Sequence, residues 1–244
     1  MKQYWASVSG GKDSVYMLDY ILNNIDKYPL DGVVHFELEI DYPFIHDVIN
    51  YIEEKVKTFG ITMLRIKPRN TFIELYKKHG FPTRVYRWCN SMYKLDCRKQ
   101  FSEFLERDGI EPVSYIGYCF DEIGRYQKRK NKNEIYPLVD AGICEDEILE
   151  WAKSNPLFND FYKYNRRCGC MYCPMQSMTT SAYLAKYYPE QYEEMVKMAL
   201  ETEINFENRT GKKTSVWCGN PKYNTEYREE RVKEIWIPRL NTMG

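Results

Sequence analysis

The segment "YWASVSGGKDSVYMLDYIL", beginning at Tyr4, constrains the fold more than any other stretch. A β-favouring run from Tyr4 to Val8 ends in Ser9-Gly10-Gly11-Lys12-Asp13-Ser14. From Asp13 onward Val15, Met17, Leu18, Ile21, Leu22 and Ile25 recur at helical spacing. Strand, glycine turn and helix in this order present consecutive backbone N–H groups at a helix N-terminus, where the helix dipole adds partial positive charge. Such a turn holds phosphate. Gly10 and Gly11 admit an anion close to the backbone, Ser9 and Ser14 offer hydroxyls, and Lys12 adds a formal charge. Asp13 can cap the helix or help hold a magnesium ion beside the phosphates. The spacing departs from both G-x-x-x-x-G-K-(S/T) and G-x-G-x-x-G, so neither of those nucleotide loops is present. The plainer alternative is a tight turn capped by Asp13.

Further along, Gly32 to Phe36 reads as a second strand, Phe44 to Phe59 as a helix with Ile45, Val48, Ile49, Ile52 and Val56 on one face, and Thr62 to Ile66 as a third strand. This alternation implies βαβ units and a parallel sheet covered on both sides. After Pro68 the pattern is helix, a Gly-Phe-Pro loop, and a second helix ending near Gly109. Val113 to Tyr118 restores a strand, a polar loop leads to Ile135-Tyr136-Pro137-Leu138, and a helix runs from Cys144 to about Lys153. Beyond Asn155 the composition shifts to cysteine, tyrosine and asparagine, then to two helical patterns and a polar tail. The expected organisation is a nucleotide-binding α/β domain over 1–155 and a C-terminal helical lobe with a cysteine cluster over 156–244.

The 35 basic and 35 acidic residues cancel, so no global field recruits nucleic acid or a membrane, and any such role must rest on a local patch. The run Arg125 to Glu134 is one such patch, suited to phosphates or to a nucleic-acid backbone, although such a run is more often a solvated loop. No apolar stretch is long enough to span a bilayer, and Met1-Lys2 leads directly into the first strand without a signal-peptide pattern, so a cytoplasmic location is expected. Eight cysteines in a reducing compartment call for something other than a disulfide framework. Cys168, Cys170 and Cys173 form C-x-C-x-x-C in "RRCGCMYCPMQS"; close thiolates suit zinc or an iron–sulfur cluster, and Arg166 and Arg167 would stabilise them. A fourth ligand would come from elsewhere, and Cys89, Cys97, Cys218 and His79 are the candidates. Reduced thiols in a turn are the plain alternative. Cys119 and Cys144 read as small buried thiols, and His35 as a structural histidine at a strand end.

Ser-Gly-Gly-Lys-Asp-Ser after a first strand resembles the PP-loop of the ATP pyrophosphatases, in the adenine nucleotide alpha hydrolase-like superfamily. "HGFPTRVYRWCNSMYKLD", with Arg87, Trp88, Cys89 and Lys94, is similar to a stretch of the phosphoadenosine phosphosulfate (PAPS) reductase-like branch. "IGYCFDEIGR" is similar to that branch's Gly-(Ile/Val)-Arg-x-x-Glu-Ser-x-Arg region, with Glu122 and Arg125 matching and Cys119 following Tyr118 where the first arginine would be. The resemblance covers residues 1 to 175. It departs at "HFELEIDYP", where Glu37, Glu39 and Asp41 stand in place of the branch's Thr-Gly motif. It departs again at the C-terminus, where Cys218 lacks the Glu-Cys-Gly context of the catalytic cysteine of PAPS reductases.

The resemblance implies a Rossmann-like (HUP-type) parallel sheet with helices on both faces and chemistry at the α-phosphorus of ATP or a PAPS-like nucleotide. An acceptor is adenylated, pyrophosphate leaves through Ser9, Gly10, Gly11, Lys12, Asp13 and Ser14 with Mg2+, and sulfur transfer follows. Lys12, Asp13, Cys89 and Arg125 would be catalytic, while Arg87, Lys94 and Glu122 would bind the nucleotide or the acceptor. Cys89 from the matching region would join Cys168, Cys170 and Cys173 around a 4Fe–4S cluster, or zinc. The acceptor is tRNA, DNA or a small molecule, and a homodimer is left open. Two other functions remain: a sulfonucleotide reductase acting through Cys218, and a non-catalytic regulatory or defence module that binds adenine nucleotide.

Overall fold

A computed structural model describes residues 1–124, 127 and 132–243. Five parallel strands form one sheet in the order β3-β2-β1-β4-β5, with β1 Lys2–Ser7, β2 Gly32–Phe36, β3 Thr62–Ile66, β4 Glu111–Tyr115 and β5 Glu134–Ile135. The expected Rossmann-like sheet is present. Strand order reverses between β1 and β4, so the connections that leave their carboxyl ends turn to opposite sides and leave a crevice where open α/β sheets receive ligands.

Alternation along the strands divides two cores. Ala6, Val8 and Val33 belong to the main core, which helix α1 (Lys12–Leu22) and helix α2 (Pro43–Thr58) join through Val15, Leu18, Ile45 and Val48. Trp5 and Val34 point the opposite way, against Phe101 and Leu105, and Trp5 meets the Phe101 ring edge-on at 5.2 Å. Period-two alternation in the strands and 3.6-residue spacing in the helices produce this division. Gly32 serves it directly, since a Cβ there would lie 2.4 Å from the Trp5 ring.

Several elements differ from the sequence expectation. The first strand begins at Lys2 rather than Tyr4, and β4 covers Glu111–Tyr115 and stops before Ile116. Between helix α3 (Phe72–His79) and helix α4 (Leu95–Arg107) the chain passes through a π-helical turn at Cys89–Lys94, which re-aims Cys89 and Lys94 relative to the helix that follows. Helix α5 (Pro137–Asp140) and helix α6 (Glu145–Ser154) are followed by a short helix α7 (Phe161–Tyr164).

Helices α8 (Met178–Tyr187) and α9 (Pro189–Thr210) supply the two expected C-terminal helices, but the tail after them is not an open polar segment. It folds into helix α10 (Thr225–Arg231), a π-helical turn and helix α11 (Ile237–Thr242), with Val232 and Leu240 buried in the main core. Charged residues surround those two side chains in sequence and dilute the helical signal. Glu203 of α9 anchors the tail: its buried carboxylate accepts the Val216 and Thr225 N–H groups, each at 3.0 Å. The main core continues across residue 155, where Tyr42 and Phe44 pack on Phe161 at ring distances of 5.1 and 5.2 Å. Among the described residues no helix is long and apolar enough to cross a membrane.

Candidate active site

The loop between β1 and α1 is closed by its own serines. Ser14 Oγ accepts the Ser9 N–H at 3.1 Å and donates to the Gly11 carbonyl at 2.9 Å, and the Ser9 and Ser14 hydroxyls are 3.2 Å apart. Gly10 has φ of +78°, and a Cβ there would lie 2.7 Å from Ile45 Cγ2, so both conformation and space require glycine. Gly117, beyond the end of β4, is constrained by space alone. A Cβ on it would lie 2.9 Å from the Asp13 carbonyl oxygen, so this glycine lets the far side of the crevice approach the helix N-terminus.

Lys12 does not line the crevice. Its side chain is 1% exposed, and Nζ lies 2.6 Å from Asp13 Oδ1 and 3.3 Å from Glu145 Oε1. Burial raises the Asp13 carboxyl above its ordinary range, opposed by the Lys12 charge. Burial also opposes ionisation of Glu145, but hydrogen bonding from Arg167 and the charge of Lys12 outweigh it and hold that carboxyl below its ordinary value. In this state Lys12 neutralises two carboxylates under the loop and reaches an anion only by releasing one of them.

Among the described residues Arg167 is the cation that lines the crevice. It lies 3.3 Å from both Glu122 and Glu145 and lines a cavity of about 420 Å3 with Ser9, Gly11, Asp13, Gly117 and Cys168. A second cavity of about 190 Å3 opens on the other side of the loop, bounded by Ser9, Gly11, Asp41, Lys94, Cys168 and Cys170. Ser7, Ser9, Gly11 and Cys168 therefore face both spaces. Tyr162 of α7 joins the loop to the cysteines: its hydroxyl accepts the Lys12 N–H at 2.8 Å and donates to the Cys168 thiol. The sequence reading missed Gly117, Glu145 and Tyr162 because each lies in a distant segment without a motif of its own.

The cysteine loop is held at the sheet end by the Met171 N–H, which donates to the Ile40 carbonyl at 2.7 Å. Cys170 donates to Cys173, and that bond, with the Met175 N–H at 3.4 Å, brings the Cys173 thiol down to about 7 and drives the Cys170 thiol well up. Burial raises Cys168 and Cys89, and Cys89 also feels the charge of Cys170. Lys94 is the cation within this group, its ammonium favoured first by Cys170 against the cost of burial and then by Asp41, whose buried carboxyl is pushed up to about 6. Four thiols beside a buried ammonium form a donor set whose chemistry suits iron–sulfur or zinc. Among the described residues, no three histidine, cysteine or acidic side chains are drawn together tightly enough to enclose an ion.

The other sequence candidates are dispersed. Arg87 is exposed and acts on Cys89 only through its charge. Glu122 pairs with Arg167, and Arg125, with most of the basic run after it, lies outside the described residues. Of the three acids in "HFELEIDYP", Asp41 reaches the cavity, Glu37 pairs with Lys67 at 3.2 Å, and Glu39 accepts the Phe72 N–H at 2.9 Å. Cys97 donates to the Tyr93 carbonyl, His79 bonds to the Tyr86 hydroxyl, and Cys218 lines a separate groove. Cys119 is buried with its thiol 3.6 Å from Asp13 Oδ1, whereas Cys144 is only half-buried. His35 is buried against the Val8 carbonyl at 2.9 Å, a structural role.

The segment that carries the first three strands, the loop and the Cys89 turn matches a known family model. Residues 3–110 match the model of the phosphoadenosine phosphosulfate reductase domain. The PP-loop Ser9–Ser14 thus lies within the matched segment, while Cys168, Cys170, Cys173 and Tyr162 come from the chain beyond it. Two curated relatives from Methanocaldococcus jannaschii, the uncharacterized proteins MJ0973 and MJ0066, are each 26% identical to the chain, over 202 and 203 residues. The matches cover 78% and 79% of this chain but 46% and 40% of those proteins, so the chain spans less than half the length of the curated relatives it matches. Among solved structures, the U34-tRNA thiolase NcsA from Methanococcus maripaludis, with its 4Fe–4S cluster, is similar at 17% identity and a TM-score of 0.43, over 96% of this chain and 73% of that one.

Proposed function

We propose that the protein binds ATP or a related adenine nucleotide in the crevice between β1 and β4 and transfers the adenylyl group to an acceptor oxygen with release of pyrophosphate, after which sulfide-level sulfur from a separate donor, held beside the cysteines, attacks the activated acceptor and displaces AMP. One observation carries this reading: the PP-loop and Cys168 line the same two cavities and share the Tyr162 hydroxyl. Ser9, Ser14 and the N-terminal N–H groups of α1 receive the departing pyrophosphate, whose growing charge Arg167 and the helix dipole stabilise. Asp13, released from Lys12, is the carboxylate placed to share a magnesium ion with the phosphates. Lys94 and Asp41, on the other side of the loop, face the acceptor.

Cys89, Cys168, Cys170 and Cys173 are the proposed ligands of an iron–sulfur cluster or zinc. When bound, such a group supplies a Lewis-acidic or sulfur-carrying centre beside the acceptor. The protein residues around it position the acceptor, exclude water and hold the thiols next to the Lys94 ammonium. A reductase acting through Cys218 is disfavoured, because that thiol lines a groove that contains no PP-loop residue.

The test is pyrophosphate release from ATP on addition of candidate acceptors, with protein purified without oxygen and assayed for iron, zinc and sulfide. Release that is lost in Asp13→Asn and Ser9→Ala supports the reading. Sulfite release from PAPS or adenylylsulfate in place of pyrophosphate release from ATP refutes it, as does tight nucleotide binding without either product.

A further inference from the structure

The strongest unassigned feature lies on the C-terminal half. A groove of about 790 Å3 runs between α3, the loop after it and α9, lined by Lys77, Lys78, Arg84, Tyr86, Phe206 and Arg209. It shares Arg84 and Cys218 with a second depression of about 540 Å3, lined by Met175, Tyr223, Tyr227, Arg228, Arg231 and Trp236. The two form one continuous surface. Along it, Glu201 is the one acidic side chain, and it accepts the Tyr76 hydroxyl at 2.6 Å. Among the described residues Lys77, Lys78, Arg84, Arg209 and Arg231 have no carboxylate within ion-pair distance. In a chain with no formal net charge, that concentration of uncompensated cations is a local departure.

Arg228 adds an independent sign of an anion. Its side chain stacks on the Trp217 ring at 4.4 Å and donates from Nη2 to the Gln176 and Ser177 carbonyls and to the Ser181 hydroxyl, yet no carboxylate pairs with it and its buried Nε has no partner. A half-buried guanidinium with a buried, unpartnered Nε and no counter-charge is costly unless a ligand supplies the charge. Exposed flat side chains accompany the cations: Tyr86 is 47% exposed, Tyr223 42% and Tyr227 37%. Cations without acids, interleaved with exposed aromatic rings along a groove, fit a polynucleotide whose phosphates meet the cations and whose unpaired bases stack on the rings. An acidic peptide would satisfy the cations but not the rings.

We infer that this groove binds a single-stranded stretch of nucleic acid and leads it to the cysteine site, which makes the acceptor of the proposed reaction a polynucleotide. The inference rests on the reading above for the reaction, but not for the binding. Its path is set by Met175, which lines the groove two residues after Cys173, and by Arg228, which donates to the Gln176 and Ser177 carbonyls just beyond it. A strand lying along Arg209, Arg84 and Arg231 therefore passes the thiol side of the site rather than the PP-loop side.

The test uses the full chain and a fluorescently labelled 12-nucleotide single strand, read by anisotropy without ATP over about 50 to 200 mM salt. Expected is binding that weakens as salt rises. A triple variant Lys78→Ala, Arg84→Ala, Arg209→Ala should weaken it at least about tenfold and lower the slope of log affinity against log salt by about 2, three phosphate contacts at roughly 0.7 each. Tyr227→Ala should weaken binding with the slope unchanged, since it removes stacking alone. Equal affinity for RNA and DNA strands supports recognition through phosphates and base faces. Preference for a duplex of the same sequence, equal competition by polyglutamate, absence of binding, or a triple variant that binds like the parent each overturns the inference. Circular dichroism and ATP binding of the triple variant report whether it is folded. Asp13→Asn separates this inference from the reaction: it should keep oligonucleotide binding while losing pyrophosphate release. Oligonucleotide binding by a parent protein that never releases pyrophosphate would refute the reaction alone.

Discussion

The PP-loop and the cysteine site lie against each other but are built differently. Six consecutive residues make the loop, and its serines bond to one another, so its geometry is local. The cysteine site gathers Cys89 and Lys94 from a π-helical turn, Asp41 from the loop after β2, and Cys168 to Cys173 from a segment pinned to Ile40. A local site survives small movements of the fold. An assembled site depends on each contact that brings its parts together, and Tyr162 is the contact that joins it to the loop.

Four changes would break or sharpen that contrast. The largest effect is expected for Lys12→Ala, which leaves the Asp13 and Glu145 carboxylates without their shared cation. Removing one member of a buried pair costs about 3–5 kcal/mol, read as a lower denaturant midpoint. A loss below about 1 kcal/mol would show that the ammonium is not the keystone under the loop. Next is Gly117→Ala, whose Cβ would collide with the Asp13 carbonyl oxygen at 2.9 Å. A strain cost of about 1–3 kcal/mol is expected, together with weaker nucleotide binding in calorimetry.

Tyr162→Phe tests the link between the two regions. Loss of a buried hydroxyl bond costs roughly 1 kcal/mol of stability. If the loop and Cys168 act together, adenine nucleotide should also alter the alkylation rate of Cys168 in the parent and have less effect in the variant. An unchanged nucleotide effect would make the two regions independent.

The smallest effect is a pH dependence from His35. Burial lowers its pKa below the ordinary histidine value of 6.5, so the unfolded chain takes up the proton first. Its contribution to stability is whole above pH 6.5 and is lost as pH falls through the folded value. Denaturant midpoints between pH 7 and pH 5 should fall less steeply in His35→Gln; identical slopes in both proteins would remove His35 as the cause.

The contrast also explains what was legible beforehand. The elements around the loop were readable because each carries a complete period of apolar residues, and β2 and β3 were located to the residue. The C-terminal helices after Thr225 were obscured because Val232 and Leu240, which bury them, stand alone among charges. Gly117, Glu145 and Tyr162 had no local signal, since their roles exist only relative to Asp13, Lys12 and Cys168.

The sequence by itself determined a parallel α/β sheet with a phosphate-binding loop after its first strand, because periodicity, glycine conformation and helix-end charge act over a few consecutive residues. Only the tertiary structure decided that Lys12 is buried between two carboxylates and that Arg167 faces the crevice in its place. It also decided that the thiols from residue 168 onward lie against the loop. Charges and hydroxyls take their partners across more than a hundred residues of chain, and only packing sets those distances.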